Sequence, residues 1–426
     1  MKKILALSLC LTLLLSLTAC GIGDIKETIF GKDSNDFSDF YNTDISVPSS
    51  PSVVLPDTPK TSHTPVAKEN YYQYSLLSDT DKNLYNDICT AIEKQQNFVD
   101  VEKYNLTESN VQDVYNKVVA DNPQYFWLSK FMEYSYYTLK DETTITHLIL
   151  AYTDGEVTDE FDKNNKFVNT ADREKIKSQK IAFDNKATSF LNTVSKNISI
   201  IEKERIIHDF VLKTVTYADK EKDKKLTRKN YIRIYDLYGA LVGGSAVCEG
   251  YAKLFQYLCC QVGINTTAVY GWSEGESHAW NIVKLENSWY HVDTTWNDGS
   301  TDNLPLYSYF NLTEKELSKD HVIDKEIFPV PNATGTKYSL INTYGVIISR
   351  NSQPKNYEAA IDYVYKYNQK YLVLVCNGNM PNQIYLNRYC FALNCDMQKY
   401  IKVKGYNISF EKTYYTVDNY IYLVRK

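Results

Sequence analysis

The stretch GGSAVCEGYAKLFQYLCC, Gly243 to Cys260, decides how the chain is read. Gly243 and Gly244 mark a loop, and Ser245 has the chemistry of a helix N-cap. Tyr251, Phe255, Leu258 and Val262 then recur at helical spacing, and Gly263 suits a helix end. Cys248 therefore falls in the first turn of a predicted helix. The backbone N–H groups of such a turn sum to about half a positive charge. That charge stabilises a thiolate, whose parent thiol otherwise titrates near ~8.5. The same donors can hold an oxyanion. Cys259 lies about 16 Å further along the axis, at about 1.5 Å per residue. It sees no N-terminal dipole and is expected to pack as a small hydrophobe. Cys260 points elsewhere. Neither reaches Cys248 within the roughly 7 Å between Cα atoms that a disulfide spans.

A nucleophilic thiol needs a base, and ESHAWNIVKLENSWYHVDTTW, Glu276 to Trp296, supplies one. His278 opens a predicted strand, HAWNIVKL, and SWYHVDTTW reads as the returning strand, with a loop near Glu286-Asn287. Strand side chains alternate, so loop length sets which residues share a face. An even loop puts His278 and Asp293 on one face, opposed or one diagonal step apart. An odd loop without a bulge puts Asp293 on the wrong side. His291 has the parity of Asp293 and is a rival, although it is less well placed to orient His278. Trp280 shares the face of His278 and walls the site or packs in the core. Trp289, Trp296 and Asn281 read as structural.

These segments resemble the transglutaminase-like superfamily, within the broader papain-like group. AVCEGYAKLF, HAWNIV and WYHVDTTW carry the resemblance, in the order helix-borne Cys, strand His, strand Asp. It covers about Glu202 to Phe310. It implies an α+β core in which Cys248 attacks a carbonyl, His278 shuttles the proton and Asp293 orients His278. Papain-type members carry a Gln upstream of the Cys that helps the oxyanion; none stands close before Cys248. Tyr217, in VTYAD, is a candidate second oxyanion donor, with a buried core tyrosine as the other reading.

Other motifs lack their structural context. GWSEG, Gly271 to Gly275, matches the serine-hydrolase elbow, but that elbow needs a helix directly after the serine. Here a strand is predicted, and the only later histidines are badly ordered, with His321 in a charged loop. NDGSTDN, Asn297 to Asn303, places Trp296 where a calcium loop needs an oxygen ligand, so it reads as a turn. His208 sits on a predicted helix without a second ligand at i+4. There is no GKS/T phosphate loop and no CxxC pair, so no metal or cofactor is expected.

The N-terminus reads as an export leader. Lys2 and Lys3 precede an apolar run from Ile4 to Leu17, followed by LTAC ending at Cys20. The run is shorter than the roughly 20 residues a spanning helix needs. The small residues before Cys20 resemble a bacterial lipoprotein box, which implies cleavage before Cys20 and lipidation of its sulfur. The working part of the chain is then outside the cytoplasm, held to the membrane. Seven cysteines beyond Cys10 and Cys20 make an odd set, so at least one lacks an intrachain partner.

The 426 residues allow two or three domains, and 43% hydrophobic content supports a real core. A formal net charge of −5 without a Lys/Arg block argues against nucleic acid as partner. The 37 tyrosines bring hydroxyls that need partners when buried. Residues 1–19 read as leader and 20–68 as a solvated tether, because five of eleven prolines lie from Pro48 to Pro65. A mixed α/β domain is expected over 69–171, the transglutaminase-like core over 172–330, and a small β-rich domain over 331–426. The expectation is α+β throughout, and a cysteine protease, amidase or transglutaminase acting on protein or cell-wall peptides. The other class is a non-catalytic surface scaffold or adhesion module.

Overall fold

The computed structural model describes residues 4–5, 55–96, 98–139, 142–152, 173–218, 233–299, 304–305, 307–325, 328–339, 357–366, 371–375, 395–417 and 420–426. The site of lipidation expected at Cys20 and most of the leader and tether lie outside them. The chain divides into two compact units: residues 1–284 with 318–331, and residues 285–317 with 332–426.

In the first unit, Ser78 caps α1 (Asp79–Glu93) by accepting from Asp81 N–H, and Leu84, Ile88 and Ile92 bury one face. Strand β1 (Phe98–Asp100) follows. Helix α2 (Glu108–Asp121) starts at a Thr107 cap and buries Val111, Val114, Tyr115 and Val118. Strands β2 (Leu128–Leu139) and β3 (Glu142–Tyr152) form an antiparallel ribbon, with β1 on the far edge of β3. Helix α3 (Arg173–Leu191) buries Ile176, Phe183, Ala187 and Leu191. Helix α4 (Ile200–Thr214) opens with a capping box in which Ser199 and Glu202 satisfy each other's backbone N–H. His208 is a buried residue of this helix, its Nδ1 3.0 Å from Asp209.

Strand β4 (Thr216–Tyr217) then pairs in parallel with β5 (Ser245–Ala246), directly before α5 (Cys248–Gln261). Ser245 is thus not the N-cap. The strand pairing takes it, and the cap position falls to Val247, which offers no side-chain oxygen. At the other end, Gly263 adopts φ 88°, and Ile264 N–H reaches back to Cys259 O at 2.9 Å, closing the helix where glycine was expected. Strands β6 (Thr266–Ser273) and β7 (Glu276–Leu285) form a tight hairpin through Glu274 and Gly275, both at positive φ. After Ser273 the chain turns into a strand, so the serine-elbow geometry is absent there.

Part of the expected tether is not solvated. Leu55 is buried, Thr58 accepts from Lys180 Nζ, and His63 Nε2 lies 2.8 Å from Val194 O. Val66 N–H donates to Cys260 O at 2.8 Å. Carbonyls at the ends of α3 and α5 need donors, and this proline-spaced segment supplies them. Composition showed too little apolar area for a core, but not that neighbouring helix ends would hold the backbone.

In the second unit, β8 (Ser288–Val292) pairs antiparallel with β9 (Phe310–Leu312). Strand β10 (His321–Ile323) returns to the first unit, where it pairs with β6, giving the order β7–β6–β10. Further along the second unit, α6 (Tyr357–Lys366) packs Ala360, Ile361 and Val364 against a sheet of β11 (Tyr371–Val375), β12 (Phe410–Val417) and β13 (Tyr420–Arg425). The sheet order is β11–β13–β12. The hairpin turn expected at Asp418-Asn419 lies outside the described residues, but its flanks Val417 and Tyr420 are cross-strand partners. Among the described residues no helix is long and apolar enough to cross a membrane.

Candidate active site

Cys248 is the first residue of α5, and it is buried. The N–H groups of Gly250 and Tyr251 both aim at Val247 O, which fixes the opening turn. Gly250 is needed for this close approach: a Cβ there would stand 2.6 Å from the Ala246 Cβ and 2.9 Å from Ile234 O. Cys248 packs with Ala252 and with Ala279 of β7, and the ring of Tyr270 leans on the cluster. The thiol therefore lies against the strand residue next to His278. Burial, with the nearby charges of Glu249 and Cys248, holds the Tyr270 hydroxyl well above its usual range.

Cys248, Cys259, Cys260, Cys89 and Cys395 are thiols rather than disulfides. Cys259 is completely buried, as expected of a packing residue, and burial pushes its thiol far up. Burial also raises Cys89 and Cys260 to about 12. Those three cannot serve as thiolates near neutral pH. Cys376 and Cys390 lie outside the described residues.

His278 is buried on β7, with its ring stacked on Trp280 at 5.8 Å and 21°. Trp280 is also buried, so it is a core residue that braces the imidazole. Asn281 faces the other way and donates to Ala252 O, which ties β7 to α5. The sequence reading missed His321. It is not in a charged loop. It is a buried residue of β10, its Nδ1 2.5 Å from Asp320 Oδ1. Its ring centroid is 5.4 Å from that of His278, and ring nitrogens of the two come within 4.8 Å. Gly271 lets this happen. It pairs with His278 on one side and Ile323 on the other, and its missing side chain opens the space that Trp280 fills. A glycine in mid-strand was the available signal.

Asp293 follows β8 and is buried. Its Oδ1 accepts from Thr295 N–H at 2.8 Å and Trp296 N–H at 3.0 Å. Two backbone donors on one oxygen fix the plane of the carboxylate. The rival His291 is buried within β8, opposite Leu312 of β9.

Tyr217 is 46% exposed, so it is not a buried core tyrosine. It sits on β4 opposite Ala246, with its ring 6.4 Å from Tyr251. The two-residue strand carries it to the surface beside the segment that leads into Cys248.

Residues 184–294 match the sequence model of the Transglutaminase-like superfamily, a span that contains Cys248, His278 and Asp293. Kyphoscoliosis peptidase from Homo sapiens is 35% identical over 98 residues, covering 18% of this chain and 15% of the relative. The Mus musculus protein of the same name matches equally, so the aligned part spans about one seventh of either relative. A crystal structure of a TGase aligns over 59% of this chain and 58% of its own, at 15% identity and a TM-score of 0.27. Residues 184–294 therefore form a transglutaminase-like domain by their match to that superfamily.

Proposed function

We propose that the transglutaminase-like domain at residues 184–294 is a working acyl-transfer centre, with Cys248 as nucleophile, His278 as base and Asp293 as the group that orients His278. The carrying observation is the position of Cys248 as the first residue of α5, where the helix dipole favours a thiolate. A link of only two residues, Glu286 and Asn287, joins β7 to β8, and this supports the role of Asp293. It is the even loop that strand parity requires for His278 and Asp293 to share a face.

Cys248 Sγ attacks an amide carbonyl while His278 accepts the thiol proton. The carbonyl oxygen becomes an oxyanion, held by N–H groups at the start of α5 and by the Tyr217 hydroxyl as second donor. The tetrahedral adduct collapses, the C–N bond breaks, and His278 delivers its proton to the leaving amine. A thioester remains on Cys248. Water or a second amine then attacks, gives its proton to His278, and the S–C bond breaks. Water makes the reaction hydrolysis; an amine makes it cross-linking. Asp293 holds one imidazole nitrogen so that the other faces sulfur.

The substrate in this proposal is an amide of protein or cell-wall peptide outside the cytoplasm, with the enzyme anchored to the membrane by lipid on Cys20. The leader pattern and the LTAC box support that placement.

The test is alkylation by iodoacetamide near neutral pH, read by peptide mass. Cys248 is expected to label fastest, with His278→Ala abolishing the preference. Cys89 is the internal control, since burial holds its thiol near 12. Labelling of Cys248 as slow as that of Cys89 would remove the nucleophile. A glutamine peptide with a fluorescent amine then separates the two acceptors.

A further inference from the structure

Beyond the thiol and the imidazole, the first unit presents an exposed apolar patch. Tyr270 is opposed by Ala279, Trp272 by Ser277, and Val322 by Trp272. Opposed residues, and residues two apart, share a sheet face. Tyr270, Trp272, Ser277, Ala279 and Val322 therefore face one way. It is the face covered by α5, because Ala279 and Tyr270 pack on Cys248, and Asn281 bonds Ala252. Walking from Asn281 to Ala279 follows α5 from Ala252 towards Cys248. The next step, to Ser277, passes the N-terminal end of the helix.

Trp272 and Val322 stand at that step. They are 42% and 63% exposed, a large apolar pair left open to solvent. Ser277 is 8% exposed, and its hydroxyl oxygen has no hydrogen-bond partner. A buried hydroxyl without a partner costs stability unless something bound there satisfies it. The rim is acidic: Glu274 and Glu276 are exposed at the β6–β7 turn. The neighbouring strand is held in place, since Ser273 Oγ donates to Asp320 O at 3.1 Å.

We propose that Trp272, Val322 and Ser277 form the subsite for the residue next to the reacting amide of a peptide acyl donor. This inference rests on Cys248 as nucleophile. The subsite takes an apolar side chain, best an aromatic one that lies on the Trp272 ring beside Val322. Ser277 Oγ hydrogen-bonds the backbone of the same peptide. Glu274 and Glu276 repel an acidic neighbour and accept a basic one.

The probes are N-acetylated aminoacyl chloromethyl ketones with Phe, Leu, Gly or Asp side chains, applied to the full chain. The Cys248 thiolate forms an S–C bond, chloride leaves with its electron pair, and the thiol proton passes through His278 to solvent. Rates come from peptide mass, each divided by the iodoacetamide rate of the same variant. Phe and Leu reagents are expected to react about tenfold or more faster than Gly, with Asp slowest. Trp272→Ala and Val322→Ser are each expected to cut the Phe-to-Gly ratio to about threefold or less. Ser277→Ala should slow every aminoacyl reagent alike and leave that ratio standing. Both apolar variants are at exposed positions, so if one misfolds by circular dichroism the other carries the test. Equal rates for all side chains in the wild type would overturn the subsite. So would a Phe-to-Gly ratio retained in both variants. If iodoacetamide does not select Cys248 at all, the nucleophile falls first and the subsite goes with it.

Discussion

Gly250→Ala pits two opposing effects against each other at the helix that carries the thiol. Gly250 is the third residue of α5. Alanine favours a helix interior over glycine by about 1 kcal/mol, so propensity alone predicts a more stable protein. Crowding opposes it. The new Cβ would sit 2.6 Å from the Ala246 Cβ, 2.9 Å from Ile234 O and 3.3 Å from Asp236 O. Comfortable carbon contacts begin near ~3.5 Å. None of the three neighbours can rotate away, since one is a Cβ and two are backbone. Overpacking of this kind costs about 1–3 kcal/mol, and rigid neighbours put the cost at the upper end. The net expectation is a destabilisation of about 2 kcal/mol, roughly 30-fold in the folding equilibrium at about 1.4 kcal/mol per factor of ten. The measurement is the urea midpoint of the fluorescence transition. Gly243→Ala serves as control, because a Cβ there meets nothing within 4 Å. The start of α5 must also move, and a displacement of about 1 Å at a reacting group can cost about 100-fold in rate. Cys248 alkylation should therefore drop in Gly250→Ala and hold in the control. A Gly250→Ala protein as stable as the wild type, or more so, would mean that the helix start yields freely. The account of how Cys248 is positioned would then be wrong.

Gly271→Ala should be at least as costly, about 3 kcal/mol, because its Cβ would meet Val322 O at 2.0 Å and the Trp280 ring at 3.0 Å. Strand β10 has to give way, which hydrogen exchange would read as lost protection over His321–Ile323; retained protection would refute the contact. Asp121 predicts a pH dependence. Burial raises its carboxyl to about 7, against the pull of N–H donors from Tyr74 and Gln73 and the Tyr85 hydroxyl. The folded chain then binds the extra proton between the unfolded value, near ~4, and about 7, so stability falls as pH rises through that window. The slope is at most about 1.4 kcal/mol per pH unit, and Asp121→Asn should flatten it in urea melts from pH 5 to 8. An identical slope in the variant would assign the effect to other groups.

Helices and strands were legible because their signals are local. The period of Leu84, Ile88 and Ile92, the Gly263 stop and the two-residue link at Glu286-Asn287 each depend on a few adjacent residues. Cys248 could be picked out for the same reason: position on a helix is a matter of counting. Ser245 was misread because Thr216 and Tyr217, far back in the chain, claim its backbone as a strand partner. The tether was misread from Leu55 onward because helix ends distant in sequence hold it through hydrogen bonds. His321 was passed over because its strand is three residues long and lies 43 residues beyond His278 in number. No periodicity can be read in so short a segment.

By itself the chain marked the candidate nucleophile, base and orienting carboxylate and the order in which they occur, since thiol, imidazole and helix dipole are properties of residue type and short spacing. Only the tertiary structure decided what surrounds them: Gly271 opening room for the Trp280 ring, His321 beside His278, and Trp272 with Val322 past the end of α5. His321 and Val322 come from strand pairing between segments far apart in number, and even within the β6–β7 hairpin the pairing register is a property of the folded sheet.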